Sequence, residues 1–384
     1  MVGRLVFAVA ALVAALVAAL VGATAPTARP VGHLATASRP RSLVQRLSLE
    51  QLAGQRIVYA YAGLRPPASL LAAIRAGEAG GVIFFAPNIS STSQLRAVID
   101  QLQSASLASP LHTRLLMLTD QEGGAVRRLP GAPIQSEKQI GAATNPAAAA
   151  GSAGAGAGAV LRGAGINVNL APVLDVYRQP GNFIDEFQRS YSSDPKTVAE
   201  LGAAFISAQQ RLGVGATAKH FPGLGSASRQ QNTDVEPVTL RSSLSTLRAV
   251  DEAPYVSAIA ARVKLVMTSW AVYPALDARL PAGLSPAVIQ GELRGRLGFA
   301  GVTITDGIEA GALGRFGTVA NRAVLAASAG ADLILCATTN PDDNSPALGI
   351  AARDAIASAL AHGRLARSAA QQAAGRILAL RANP

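Results

Sequence analysis

Cysteine is nearly absent from this sequence. The single one, Cys336, excludes an intrachain disulfide and any thiolate metal cluster. Histidine is almost as scarce: four residues, His33, His112, His220 and His362, leave little room for a histidine-rich metal site. No metal-ligand spacing occurs among them, so no metal is expected. Aromatic residues make up 4% of the chain, and no run of five basic residues occurs. Nucleic-acid binding needs a basic stripe and stacking platforms, so it is excluded as a function class. Charged residues are only 15%, against 49% hydrophobic, which rules out whole-chain disorder. Chemistry in such a chain must rest on carboxylates, amides and at most one imidazole.

The charge that is present is lopsided. The net charge is +11, nearly all from scattered arginines. That balance is compatible with a polyanionic wall polymer as a neighbour. At 384 residues, the chain has room for two ordinary domains or one large α/β barrel.

Arg4 precedes an unbroken apolar run from Leu5 to Ala23. A short positive segment, an apolar segment and then small residues is the pattern of a secretory signal. Cleavage before Thr24 fits the small residues Val21, Gly22 and Ala23, and Ala25 offers a second end. The competing reading is an uncleaved membrane anchor, the one membrane association expected. No cysteine follows the run, which excludes a lipid-anchored form. Residues 1–25 are therefore assigned to the signal or anchor, 26–47 to a Pro/Ala/Thr-rich linker, and 48–384 to the folded domain.

In the folded part, short apolar runs alternate with longer helical stretches. The expected strands are Ile57–Ala62, Gly81–Phe85, Leu115–Thr119, Ile166–Leu170, Ala216–Ala218, Leu265–Thr268, Gly301–Thr305 and Leu333–Cys336. Each is continuously apolar rather than alternating, as for strands covered on both faces. Helices are expected over Ala68–Ala79, Thr92–Ser106, Pro195–Leu212, Leu240–Arg262, Ser285–Leu297, Thr318–Gly330 and Leu365–Ala382. The Ala/Gly tract Ala147–Ala159 reads as a closely packed helix. Eight strands with intervening helices predict a single-domain α/β fold, a (β/α)8 TIM barrel. An open doubly wound sheet is the alternative, weakened by the lack of G-x-G-x-x-G after the first strand.

Barrel chemistry sits at the carboxyl ends of the strands. Polar clusters fall there: Asp120-Gln121-Glu122 after the third strand, Asn169 and Asp175 after the fourth, and Lys219-His220 after the fifth. Ser269-Trp270 follows the sixth strand, and Thr305-Asp306 ends the seventh. Any one could be structural: Asp120 could cap a helix, and a lone His220 could be a satisfied core histidine. Five clusters at one rim are hard to assign to packing.

These pieces, in this order, resemble glycoside hydrolase family 3, in particular its single-domain β-N-acetylhexosaminidase-like branch. They are GGVIFF at 80–85 with Asn88, DQEGG at 120–124, GINVNLAPVLDV at 165–176, RSYSSDP at 189–195, KHFPG at 219–223, LRGRLGFAGVTITD at 293–306 and AGADLIL at 329–335. The resemblance implies a retaining mechanism with Asp306 as nucleophile. It places Asp120, Arg189, Lys219 and His220 on the sugar, and Asp175 either in support of the site or in a purely structural role. It calls for no cofactor. It implies a carbohydrate substrate, amino-sugar glycosides such as peptidoglycan fragments, and a monomer is expected.

One part of the pattern is missing. The branch supplies its proton donor from an Asp-x-His dyad after the fifth strand; counted without gaps, Gln230 and Asn232 stand there. Neither side chain delivers a proton near neutral pH. Asp234 is the candidate replacement, effective only if the site raises its pKa, with loop hydrogen bonding as its other reading. Glu236, Asp185, Glu186 and Glu309 are further rim carboxylates. Trp270 replaces a histidine common in the family, and either stacks on a sugar or fills the barrel mouth. The resulting expectation is an exported retaining β-glycosidase acting on terminal amino sugars of wall fragments or glycans. Its alternatives are a catalytically impaired sugar-binding protein and a transglycosidase with a non-standard acid/base.

Overall fold

The computed structural model describes residues 42–384. The signal or anchor segment, and all of the linker assignment up to residue 41, lie outside the described residues. No helix among the described residues is long and apolar enough to cross a membrane.

Eight parallel strands close into a barrel. They are β1 (Ile57–Tyr59), β2 (Gly81–Ile83), β3 (Leu116–Thr119), β4 (Val168–Asn169), β5 (Gly215–Phe221), β6 (Leu265–Thr268), β7 (Val302–Gly307) and β8 (Leu333–Cys336). Neighbours in the barrel are neighbours in sequence, and the ring closes where Val58 of β1 pairs with Leu335 of β8. The strand residues are almost all buried, those on one face in the barrel interior and those on the other under the helices. Val58, Leu118, Val168, Met267 and Ile304 point into the barrel core. Ile57, Tyr59 and Met117 face the helical layer on the other side.

The bottom of the barrel is plugged by the helix Arg367–Ala382, whose Ile377 and Leu380 join the interior core. Its Arg381 is buried. That guanidinium is satisfied by the carbonyls of Arg114, Thr113 and Ala79 and by the side chain of Gln55. A buried charge is tolerated only when its donors are paired in this way.

The Ala/Gly tract is a helix, Pro146–Ala164, capped by Asn145 and started by Pro146. It lies against the helix Pro195–Gln210 so closely that a Cβ on Gly154 would meet the Phe205 carbonyl oxygen at 2.3 Å. The composition that looks like low complexity is therefore a helix–helix contact between backbones.

The expected helix Leu240–Arg262 is broken. It runs as Leu244–Thr246, a wide π turn over Leu247–Asp251, and Ala253–Ala260. Pro254 lacks the N–H needed to continue a regular ladder through this point. A helix at Pro346–Ala361 escapes the sequence reading. So do two small hairpins at the rim, Gln121–Gly123 with Val126–Arg127 and Val272–Tyr273 with Asp277–Pro281. The first helical turn is already present at Leu43–Arg46, inside the stretch read as linker, with Leu43 and Val44 packed on the core.

Candidate active site

A cavity of about 230 Å³ opens at the carboxyl end of the barrel. Its apolar floor includes Ile83, Leu170, Met267 and Leu335, and its walls carry Asp120, Glu122, Arg128, Arg189, Lys219, His220, Asp234 and Asp306. Among the described residues, no cluster of histidine, cysteine and carboxylate side chains could hold a metal ion.

One wall is an ion network. Asp120 ends β3, and Glu122 sits in the hairpin that follows. Lys219 Nζ donates to Asp120 Oδ1 at 2.9 Å and lies 2.7 Å from Glu122 Oε1. Arg189 grips Glu122 with two hydrogen bonds, Nε to Oε2 and Nη2 to Oε1, both 2.9 Å. Burial alone would raise the Glu122 carboxyl. The Arg189 and Lys219 cations outweigh it and hold Glu122 well below the usual carboxylate range. Burial pulls the Lys219 ammonium the other way, and Asp120 and Glu122 overcome it, so its pKa is raised. Both cations therefore stay charged, with fixed orientation, beside the cavity. Donors of that kind make strong, directed hydrogen bonds to hydroxyl and carbonyl oxygens.

His220 is held from behind. Its Nδ1 lies 2.7 Å from Asp175 Oδ2. Asp175 Oδ1 accepts from the backbone N–H of Leu224 at 2.7 Å and of His220 at 3.3 Å. Asp175 is fully buried and does not line the cavity. From there it braces His220 and the turn that follows, rather than touching a ligand in the cavity. His220 Nε2 faces Arg189 Nη2 at 3.5 Å.

Asp306 lies at the end of β7, where its Oδ1 accepts from the Gly307 N–H at 2.7 Å. The Gly307 carbonyl in turn accepts from Trp270 Nε1 at 2.8 Å. Trp270 is 1% exposed and does not line the cavity, so the stacking reading is corrected. The indole is core, and its one polar atom supports the backbone beside Asp306.

The loop after β5 carries Gln230, Asn232 and Asp234. Gln230 is exposed, and Asn232 turns its Oδ1 back to accept from the Asp234 N–H at 2.9 Å. Neither lines the cavity; Thr233 and Asp234 do. Asp234 stands at the mouth, where desolvation and the neighbouring Asp306 carboxylate push its carboxyl up to about 6 against the opposing pull of His220 and Arg189. The other rim carboxylates are engaged elsewhere. Asp185 pairs with Lys138 at 2.6 Å, Glu186 with Arg229 at 2.5 Å, and Glu309 with Arg322 at 3.3 Å. None of these, nor Glu236, lines the cavity.

Sequence reasoning names Glu122 within a cluster but gives it no role, and it overlooks Arg128, which reaches within 4.0 Å of Asp120 Oδ2. Both stand in the same Asp120–Arg128 stretch, so proximity to Asp120 is the signal that was available. Phe183 and the Thr338–Thr339 pair also line the cavity, and no sequence signal marks them.

Comparison with known proteins points one way. The model of the glycosyl hydrolase family 3 N terminal domain matches residues 46–380. A protein of Arthroderma benhamiae described as an uncharacterized secreted glycosyl hydrolase is 47% identical over 336 residues, 87% of this chain and 93% of that one. A beta-hexosaminidase of Xanthomonas campestris pv. campestris is 35% identical over 265 residues, 66% of this chain and 76% of that one. Among solved structures, a family 3 beta-N-acetylglucosaminidase from Paenibacillus sp. superposes with a TM-score of 0.81 at 36% identity. The match covers 88% of this chain but only 63% of that longer one. The beta-N-acetylhexosaminidase of Beutenbergia cavernae gives a TM-score of 0.77 at 33% identity, covering 88% and 99% of the two chains. With a closed (β/α)8 barrel, a cavity at its carboxyl end and a family match over nearly all the described residues, this chain belongs to glycosyl hydrolase family 3 and is a glycoside hydrolase.

Proposed function

We propose that this protein is an exported, retaining β-glycosidase that removes terminal N-acetylated amino sugars from wall fragments or glycans. Asp306 is the nucleophile, and Asp234 is the proton donor and later the base. In the first step an Asp306 oxygen bonds to the anomeric carbon as the glycosidic bond breaks, and the departing oxygen takes the Asp234 proton. In the second step water attacks the glycosyl-enzyme, gives its proton to the Asp234 carboxylate and releases Asp306. Lys219 and Arg189 orient the sugar through its oxygens, and Asp120, Glu122 and Asp175 keep those donors and His220 in place.

One observation carries the reading. Asp234 is exposed at the cavity mouth yet lines the same cavity as Asp306, and partial desolvation of its carboxyl together with the Asp306 carboxylate pushes its pKa up to about 6. A carboxyl whose pKa is raised by its surroundings can serve as the acid beside a second carboxylate. A sugar-binding protein without turnover has no use for that arrangement. The amino-sugar substrate class is supported by the beta-hexosaminidase relatives. Export is supported by the apolar N-terminal run and by the relative described as secreted.

The test is a panel of nitrophenyl glycosides, with the anomer of the first product read by NMR. Release from the β-N-acetylglucosaminide with retention, lost in Asp306→Ala, is the expected result. Sugar binding without turnover on any glycoside would overturn the catalytic reading, and an inverted product would overturn the nucleophile.

A further inference from the structure

The loop that carries Asp234 is fastened to the loop that follows the nucleophile. The Gly311 N–H donates to the Asp234 carbonyl at 2.8 Å, and the Ala312 N–H donates to the Thr233 carbonyl at 3.1 Å. These two bonds join the segment after β5 to the segment after β7, bypassing the side chains of both carboxylates. Gly311 does not have a positive φ, so backbone angle is not what calls for glycine there. Space is. A Cβ at 311 would lie 2.0 Å from the Val235 carbonyl oxygen, 2.5 Å from its carbon and 3.1 Å from the Asp234 carbonyl oxygen. The atoms in the way are backbone, which cannot rotate aside like a side-chain tip.

The other end of the loop is fastened the same way. The Gly225 carbonyl accepts from the Arg178 N–H at 2.9 Å and from Asn182 Nδ2 at 2.7 Å. A Cβ on Gly225 would lie 1.8 Å from the Val176 carbonyl oxygen. Between the two fastenings, Gln230 points to solvent and Asn232 serves the local turn. From Gly225 to Asp234, it is Thr233 and Asp234 that line the cavity.

We infer that Gly311 is a positioning residue for the acid/base step: its close backbone contact clamps Asp234 to the β7 loop, so that proton donor and nucleophile are set as one unit. The inference rests on Asp234 being the acid. A side chain at 311 must drive the Val235 peptide away by on the order of 1 Å to restore ordinary contact. Displacement of that size costs a positioned catalytic group roughly 100-fold. The cost falls where the acid matters, on glycosides with poor leaving groups.

The experiment compares Gly311→Ala, Asp234→Asn and the double variant on two substrates, an N-acetylglucosamine disaccharide and an activated aryl β-N-acetylglucosaminide. Read as kcat/KM, which reports the first chemical step, Gly311→Ala is expected to lose roughly 100-fold on the disaccharide and less than about threefold on the aryl glycoside. In the Asp234→Asn background the same change should cost nothing more. If Asp234→Asn is impaired on the disaccharide but Gly311→Ala is not, or if Gly311→Ala loses kcat/KM equally on both substrates, the clamp is refuted while the acid stands. If Asp234→Asn cleaves the disaccharide normally, the acid reading fails and the clamp's role falls with it. Amide hydrogen exchange on the unaltered protein guards against a variant that does not fold. The Gly311 and Ala312 amides should exchange slowly and together, and unprotected exchange at both would overturn the clamp directly.

Discussion

Replacing Asp234 by Asn removes an ionisable proton while keeping size and most hydrogen-bonding capacity. With its midpoint at about 6, Asp234 is roughly nine-tenths protonated at pH 5 and about one-tenth at pH 7. The first chemical step on a disaccharide needs that proton. In the wild type its rate should therefore fall about tenfold per pH unit once above 6. The asparagine variant should lack that limb and run about 100- to 10,000-fold slower at pH 5, the usual worth of a positioned acid. On an activated aryl glycoside, whose leaving group needs little protonation, the same variant should lose less than about tenfold in the first step. Rates come from pre-steady-state release of the aglycone across pH 4.5 to 8. Stability separates loss of chemistry from loss of fold. A carboxyl whose folded pKa is raised costs stability as it ionises above its unfolded pKa, so Asp234→Asn should melt no lower than the wild type at pH 7. A disaccharide limb near pH 6 that persists in Asp234→Asn would refute the reasoning.

Glu122→Gln leaves the buried Lys219 and Arg189 cations short of their shared anion, and should cost about 3–5 kcal/mol in urea unfolding. An unchanged midpoint would mean the network adds nothing to the fold. Trp270→Phe keeps the apolar ring but deletes the Nε1 donor to Gly307, and should cost about 1–3 kcal/mol with kcat falling and KM steady. A KM that rises alone would restore the indole as a sugar platform. Asp306→Ala should give no glycosyl-enzyme detectable by intact mass with a slow substrate, whereas the wild type should show the adduct.

The barrel is legible because its signal is redundant. Eight short, mostly apolar runs alternate with stretches of helical spacing, so trimming β1 to Ile57–Tyr59 or extending β5 to Phe221 changes no topology. The helix at Pro346–Ala361 carries a readable start, Ser345 followed by Pro346, but no strand follows it to suggest a further βα unit. Legibility of the site follows chain distance. Residues at strand ends, Asp120, Lys219, His220 and Asp306, are placed by the barrel itself and reach the cavity as expected. Asp234 is placed by contact with Gly311, which lies far along the chain, and nothing local distinguishes it from a loop-capping aspartate. Trp270 follows β6 and Asp175 lies in the loop after β4, and neither lines the cavity. A strand end fixes where a residue is more firmly than which way its side chain turns.

The pairing of Val58 with Leu335 and the burial of Arg381 beneath the barrel have a consequence for how the chain is made. Polypeptide leaves the ribosome amino end first, and β1 then has one neighbour, β2, with its other edge open. That edge stays unsatisfied until β8 has been synthesised, and the floor is missing until the helix Arg367–Ala382 follows. Loop closure over such a span is entropically slow, and no early subset of strands completes a core. The ring of parallel pairs can therefore close only after β8 has been made, and its floor only after the helix Arg367–Ala382.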